Sequence, residues 1–444
     1  MNRNKKNISW RRTAIVAASL ALVLGLAGCS STSSNSASAK TTTASSSSSS
    51  NSSTSSSSTG SGSSSSTTST ADSSSGSTDS AVNSDGTINT DSLFSDRDLE
   101  QTADTSNATE YTVSDGQDIS ITKEGIYVIS GSATDVTITV NANDAKVQIV
   151  LNGVSITNTD SPAIYVKSAD KVFVTTVKDT ENTLKVTGTF TADGETNTDA
   201  VIFSKDDLTL NGEGTLTISS TANGVSSKDD LTITGGTYKI KATKDAFEAH
   251  DSIAIKDGTF DLTCKNGIKA EDKDDTSVGW IAIEGGTFTI DADNDCIHGT
   301  TVTQIDGGTF DLTGVECIES TGIVINDGTI NINSSDDGIN ASEKSTDYDV
   351  KITINGGNIT IKMGSGDTDG IDANGSIYVN GGTLSITANS PFDYDNEGKL
   401  NGGTVTVNGE QGSELTNQFA NGGGGGMPGR GGNGGPGGGM RGNK

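Results

Sequence analysis

"INGGNITIKMGSGDTDGIDANGSIYVNGGTLSI", residues 354–386, carries the phrase Asn-Gly-Gly, then Asn or Thr, then an alternating apolar run, twice over, with aspartates and glycines between the copies. Related phrases recur upstream and downstream: "LTLNGEGTLTI" from Leu208, "LTITGGTYKI" from Leu231, "IAIKDGTFDL" from Ile253, "IAIEGGTFTI" from Ile281, "VTQIDGGTFDL" from Val302, "IVINDGTINI" from Ile323 and "LNGGTVTV" from Leu400. The glycine before the Thr or Asn (Gly214, Gly236, Gly258, Gly286, Gly308, Gly328, Gly357, Gly382 and Gly403) returns every 20 to 29 residues. Recurrence at that period marks a repeat architecture. Each unit holds two short alternating apolar runs around a glycine corner and no helix-period stretch. Two strands per unit without a helix favour an all-β parallel β-helix, each unit forming one coil stacked roughly 4.8 Å above the last. The Asn-Gly-Gly phrase is expected to turn one coil into the next.

Stacked coils pile equivalent residues into columns. Tyr238, Phe260, Phe288 and Phe310 share one, continued by Ile330, Ile359, Leu384 and Val405. They alternate in phase with Ile240, Leu262 and Ile290, which assigns the rings to the core rather than to a sugar-stacking stripe. Cys296 and Cys317 share a column with Ala246, Gly267, Gly338 and Gly370, a position for a small buried residue; neighbouring coils also bring two cysteines within disulfide range, so both readings stand. Upstream, residues 145–186 alternate in the same way with looser corners and read as early coils, with the segment from Asp91 to Leu99 expected to help cap the open end.

The second half of each unit is acidic. One column reads Asn223, Asp245, Asn266, Asp295, Glu316, Asp337 and Asp369; three residues on, a second reads Ser226, Glu248, Lys269, His298, Glu319, Asn340, Asp372 and Asp393, with Asp293, Asp336, Asp367 and Asp395 close by. Like charges one coil apart repel by about 1 kcal/mol in water and about 3 to 4 kcal/mol at an effective dielectric constant near 20. Calcium, a hard cation that takes six to eight oxygens, suits such a set, and Asp293, Asp295, Asp336, Asp337, Asp367, Asp369, Asp372, Asp393 and Asp395 are the candidate ligands. A solvated acidic edge that binds nothing is the alternative.

The chain ends differ in kind from the repeats. Basic residues precede an apolar run from Ala14 to Ala27, too short for an ordinary membrane span, as in an export signal over residues 1–28. It closes on Leu26-Ala27-Gly28-Cys29, which resembles the bacterial lipobox and implies lipidation of Cys29 and anchoring on the outer face of the cell membrane. Residues 29–80, nearly all Ser and Thr, read as a flexible tether spanning roughly 40 Å as a coil. Residues 81–110 read as a cap or linker, residues 111–410 as the β-helix, and the glycine-rich residues 411–444 as a disordered tail. A net charge of -28 argues against nucleic acid and anionic membrane as partners, leaving the membrane contact to the lipid. A monomer is expected.

The blocks "VQIVLNGVSITNTDSPAIYVKSADKVFVTTVKDTENTL", "AVIFSKDDLTLNGEGTLTI" and "NGVSSKDDLTITGGTYKI", with the run of Asp-Gly-Ile corners, resemble the clostridial carbohydrate-binding family of exported, pectate-lyase-like β-helix proteins over roughly residues 110–410. The resemblance implies a right-handed parallel β-helix with bound calcium, displayed on the cell surface, that binds plant cell-wall polysaccharide such as cellulose or polygalacturonate. Catalysis is disfavoured by the residues themselves. A pectate lyase pairs calcium with a strong base, usually Arg, and no arginine occurs between Asp98 and Gly429. The Asp336–Asp337 pair lacks the companions a polygalacturonase needs to hold a uronate. Trp280, Tyr378 and Lys269 are the candidate sugar contacts, the two rings because they stand at outward positions. A surface spacer or adhesin is the remaining alternative.

Overall fold

The computed structural model describes residues 81–365 and 368–417. Export signal, Cys29, tether, Asp367 and most of the tail lie outside them.

Alternation of period two drives the coils into strands, and from Lys171 onward a coil contributes three, as in Ser252–Ile255, Thr259–Cys264 and Asn266–Ala270, whereas in the two coils before it the first two run on as one long strand, Gly125–Thr134 and Lys146–Asn158. Each pairs in parallel with its equivalent in the next coil, so the chain forms a parallel β-helix with its core inside. The expected two strands per unit become three. The third is short and turns only one or two large apolar side chains inward (Phe247, Ile268, Ile297, Ile318, Ile339, Ile371 and Phe392), too few to give a periodic signal.

The aromatic column lies in the core as expected. Phe260, Phe288 and Phe310 stack with ring centroids 4.5 and 4.6 Å apart, and Tyr238 continues the pile at 5.4 Å. Cys264, Cys296 and Cys317 are buried free thiols; the Cys296 sulfur faces the Thr313 carbonyl at 3.3 Å and the Cys317 sulfur the Asn333 carbonyl at 3.7 Å.

The Asn-Gly-Gly phrase turns the first strand of a coil into its second, as between Lys351–Ile354 and Asn358–Met363, and not one coil into the next. Its second glycine holds a positive φ, 86° at Gly357 and 78° at Gly382. A Cβ on Gly382 would stand 2.6 Å from the Gly357 carbonyl oxygen, the acceptor for the Thr383 N–H at 2.8 Å. Glycine is therefore required both by φ and by close stacking. The asparagine builds a ladder of its own: Asn401 donates to Asn380 (2.8 Å), Asn380 to Asn355 (2.8 Å), Asn355 to Asn326 (2.7 Å) and Asn326 to Asp306 (2.6 Å).

Residues 81–101 do not cap an end. They form a strap laid lengthwise along the outside of the first-strand sheet. Asp85 accepts from the Lys351 ammonium through its carbonyl, and the Ile88 N–H donates to Gln304 Oε1 at 2.7 Å. Phe94 lies under Lys256, and Arg97 covers the Phe173 ring at 4.4 Å. Asp98, 1% exposed, closes the strap: it accepts from Thr209 at 2.6 Å and pairs with Lys171 at 2.9 Å. Beneath it the outer side chains shrink to Ala254 and Ala282, which makes room for Ile88, Leu93 and Phe94.

Candidate functional site: two acidic ladders on the β-helix

The third strands stack their outward residues in the two expected columns. Register pairs Asp245 with Asn266, Asp295 with Glu316, and Asp369 with Ser390; three residues on, Ser226, Glu248, Lys269, His298, Glu319, Asn340, Asp372 and Asp393 follow one another coil by coil. Along this face the carboxylates fall into two regimes.

In the early coils they are answered by the protein. Glu248 accepts from Asn223 (3.0 Å) and Ser226 (2.7 Å) and lies 3.4 Å from the Lys228 ammonium. Asp245 accepts from Asn266 at 2.6 Å. His298, buried, places Nδ1 2.7 Å from Asp295 and 2.8 Å from Glu319, and Lys344 reaches Glu319 at 2.5 Å. Burial alone would lower the His298 pKa, but hydrogen bonds to the two carboxylates and their charges raise it to about 9. The imidazolium is thus clamped between two anions. Asp295 belongs to this internal pairing.

In the later coils the answer is missing. No ion pair reaches Asp337, Asp372 or Asp393 among the described residues. Burial, then the charges of Asp372, Asp336 and Asp369, raises Asp337 to about 7. Burial, then Asp393 and Asp369, raises Asp372 to about 7 as well. Glu316 rises to about 7 through burial and the charge of Glu319. Amid these groups the Oδ1 oxygen of Asn340 is buried with no hydrogen-bond partner, while its Nδ2 donates to Glu316 at 3.0 Å. Asp293 and Asp336 are exposed on the corner before the third strand; Asp395 is exposed past its far end, hydrogen-bonded through its N–H to the Ala373 carbonyl.

A second acidic cluster was not singled out by sequence. Oxygens of Asp207, Asp229 and Asp230 lie within 4.8 Å of one another at the corner leading into the first-strand sheet. Burial and the neighbouring aspartates raise Asp229 to about 7 and Asp207 to about 6. The signal was legible: "SKDDL" occurs at both 204–208 and 227–231, and identical acidic corners in adjacent repeats must stack.

The candidate sugar contacts divide. Trp280 is 5% exposed, packed under the strap against Ile88, Ala254, Ala282 and Val302, so it offers no face to a sugar. Its outward position was read correctly; the strap that covers it comes from about two hundred residues away in sequence. Lys269 is held by Glu271 at 2.7 Å. Tyr378 stands in the outer column beyond the strap's reach, half-buried, its hydroxyl 3.2 Å from Glu397 and the Lys399 ammonium 5.9 Å from its ring.

A family model described as carbohydrate-binding domain-containing protein matches residues 115–370 and 313–416, more than half of the chain. The chain belongs to this carbohydrate-binding domain family. The family match takes in the whole run of acidic corners and leaves the strap outside it. A curated carbohydrate-binding domain-containing protein of Acetivibrio thermocellus is 37% identical over 130 residues, 28% of this chain and 46% of that relative, so the match spans less than half of the relative's length. A solved structure of the polysaccharide lyase-like protein from C. thermocellum, a gadolinium derivative, is 23% identical, covering 68% of this chain and 94% of that one with a TM-score of 0.30.

Proposed function

We propose that the chain binds extracellular polysaccharide, of the cellulose or polygalacturonate type, on the outer surface of a bacterial cell without cleaving it, and that calcium holds its later coils. The observation that carries the calcium reading is the half-buried carboxylates of Asp337 and Asp372, with no ion pair among the described residues, beside the unpartnered Asn340 oxygen. Asp337, Asp369, Asp372 and Asp393, with Asn340, offer oxygen donors along this face, the ligand type that hard divalent ions take. Bound calcium would neutralise the column and bridge to carboxylated or hydroxylated sugars. Family membership supports carbohydrate as the partner. The absence of arginine between Asp98 and Gly429, the capture of Lys269 by Glu271 and the clamping of His298 speak against a base free for proton abstraction. The Leu26-Ala27-Gly28-Cys29 signal supports lipid anchoring through Cys29.

The test is depletion of the protein from solution by insoluble cellulose and by polygalacturonate, with calcium or with chelator, while the supernatant is assayed for unsaturated uronates and new reducing ends. Calcium-dependent depletion without products is expected. Released products would overturn the non-catalytic reading, and neither depletion nor products would leave a surface spacer.

A further inference from the structure

Between the strands Glu181–Val186 and Ala200–Ser204 the chain inserts residues 187–199, and under this loop lies a cavity of about 430 Å³. That size falls in the range of small-molecule sites. Its lining joins Thr187, Thr189, Asn197 and Thr221, the half-buried Phe190, and the pair Asp199–Lys244 at 2.5 Å. The wall is held in place from several sides. Asp193 accepts from the Tyr165 hydroxyl (3.0 Å) and the Lys167 ammonium (2.8 Å), the Thr191 N–H donates to the Asp160 carbonyl (2.7 Å), and the Thr198 hydroxyl donates to the Thr191 carbonyl (3.1 Å).

Exposed lysines gather on the strands beside this corner, while the loop itself carries Asp193, Glu195 and Asp199. Lys185 and Lys241 stand two strands apart in one outward column, on either side of Ser219, and run into the cavity-lining Thr187 and Lys244 within three residues. Lys265 follows Lys244 one coil on, its N–H donating to the Lys244 carbonyl at 2.8 Å. Lys185, Lys241 and Lys265 are exposed and have no ion pair among the described residues, in a chain with 57 acidic side chains against 29 basic ones. Further along the same corner the residues are Asp293 and Asp336.

We propose that this cavity is a binding subsite for one carboxylated sugar unit, separate from the acidic ladder and independent of calcium. The lysines at the mouth meet the carboxylate, the Thr and Asn side chains meet hydroxyls, and Phe190 meets a C–H face. Asp199 keeps the Lys244 ammonium at the wall and leaves Lys185 and Lys241, which have no ion pair among the described residues, as the cations open to a ligand. The proposal rests on the reading of the chain as a polysaccharide binder.

The test is calorimetric titration of the whole protein, in chelator, with digalacturonate and with cellobiose, for the natural chain, Lys185→Ala/Lys241→Ala, the cavity-filling Thr189→Tyr, and Lys362→Ala, which removes an exposed lysine of the same column far from the cavity. Digalacturonate should bind in preference to cellobiose, lose about tenfold in affinity in the double variant, lose binding in Thr189→Tyr and keep it in Lys362→Ala, with melting temperatures unchanged. Equal loss in Lys362→Ala, or no loss in the cavity variants, overturns the subsite. Failure of the natural chain to bind digalacturonate overturns it too, whether or not polymer is retained; retention of polymer in that case leaves the polysaccharide reading intact.

Discussion

Raising the pH in chelator should loosen the later coils, and calcium should restore them. Asp337 and Asp372 each carry a pKa raised from 3.8 to about 7. A raised carboxylate pKa means that folding favours the protonated form, so the associated stability is fully present below about pH 4 and is lost as pH rises through about 7. A shift of about 3 units converts to about 4 kcal/mol per group. Both carboxyls are half open to water, and screening brings the figure to about 2 kcal/mol each. About two thirds of that loss falls between pH 5 and pH 8, because it begins near pH 4, so the two groups together amount to about 3 kcal/mol over this interval, roughly 4 °C in melting temperature for a folded unit of this size. The assay is thermal melting in chelator at both pH values, with hydrogen exchange to locate the loosened coils, then the same with calcium. Stability should be higher at pH 5, the difference should vanish with calcium, and Asp372→Asn should reproduce part of the gain at pH 8. A higher melting temperature at pH 8 than at pH 5 in chelator, or an unchanged one on adding calcium at pH 8, would refute the reasoning.

Asp98 behaves in the opposite sense: its pKa is held below the ordinary value because hydrogen bonds and Lys171 outweigh burial, so its contribution is present above about pH 4 and fades as pH falls through the lowered value. Asp98→Ala should cost about 3 to 5 kcal/mol by leaving Lys171 without its partner, read by denaturant melts and by faster proteolysis near residues 95–101. Phe288→Ala, which opens a gap in the ring pile, should cost about 3 to 5 kcal/mol in the same melts. Gly382→Ala should cost at least about 2 kcal/mol, since it forces a side chain into positive φ against the Gly357 carbonyl. Trp280→Ala should lower stability while leaving retention on polysaccharide at its original level, because that ring packs under the strap; a selective loss of retention would show it to be a sugar contact after all.

The repeat was legible because stacking makes chemistry periodic. Every coil must turn apolar side chains inward at the same places, so Tyr238, Phe260, Phe288 and Phe310 align in the sequence before they align in space. The same logic placed Glu248, Lys269, His298, Glu319, Asn340, Asp372 and Asp393 in one column, as the register confirms. The third strand escaped notice because it buries so few large side chains, and the position of the Asn-Gly-Gly corner within the coil followed from that omission. The Asp207–Asp229–Asp230 cluster was within reach, since its "SKDDL" corners repeat in adjacent units.

The sequence by itself determined what is periodic: the β-helix, its core columns, the glycine corners and the acidic ladders, because equivalent positions in successive coils face equivalent surroundings. Tertiary structure alone decided what breaks the period. Which carboxylates find a lysine or a histidine depends on where Lys228 and Lys344 end up, so Glu248 and Glu319 are met by cations while Asp372 and Asp393 of the same column have no ion pair among the described residues, a division that composition does not show. The strap is the clearest case. Ile88 meets Gln304 and Asp98 meets Thr209 across 216 and 111 residues, contacts made once each, and a contact made once leaves no recurring pattern to read.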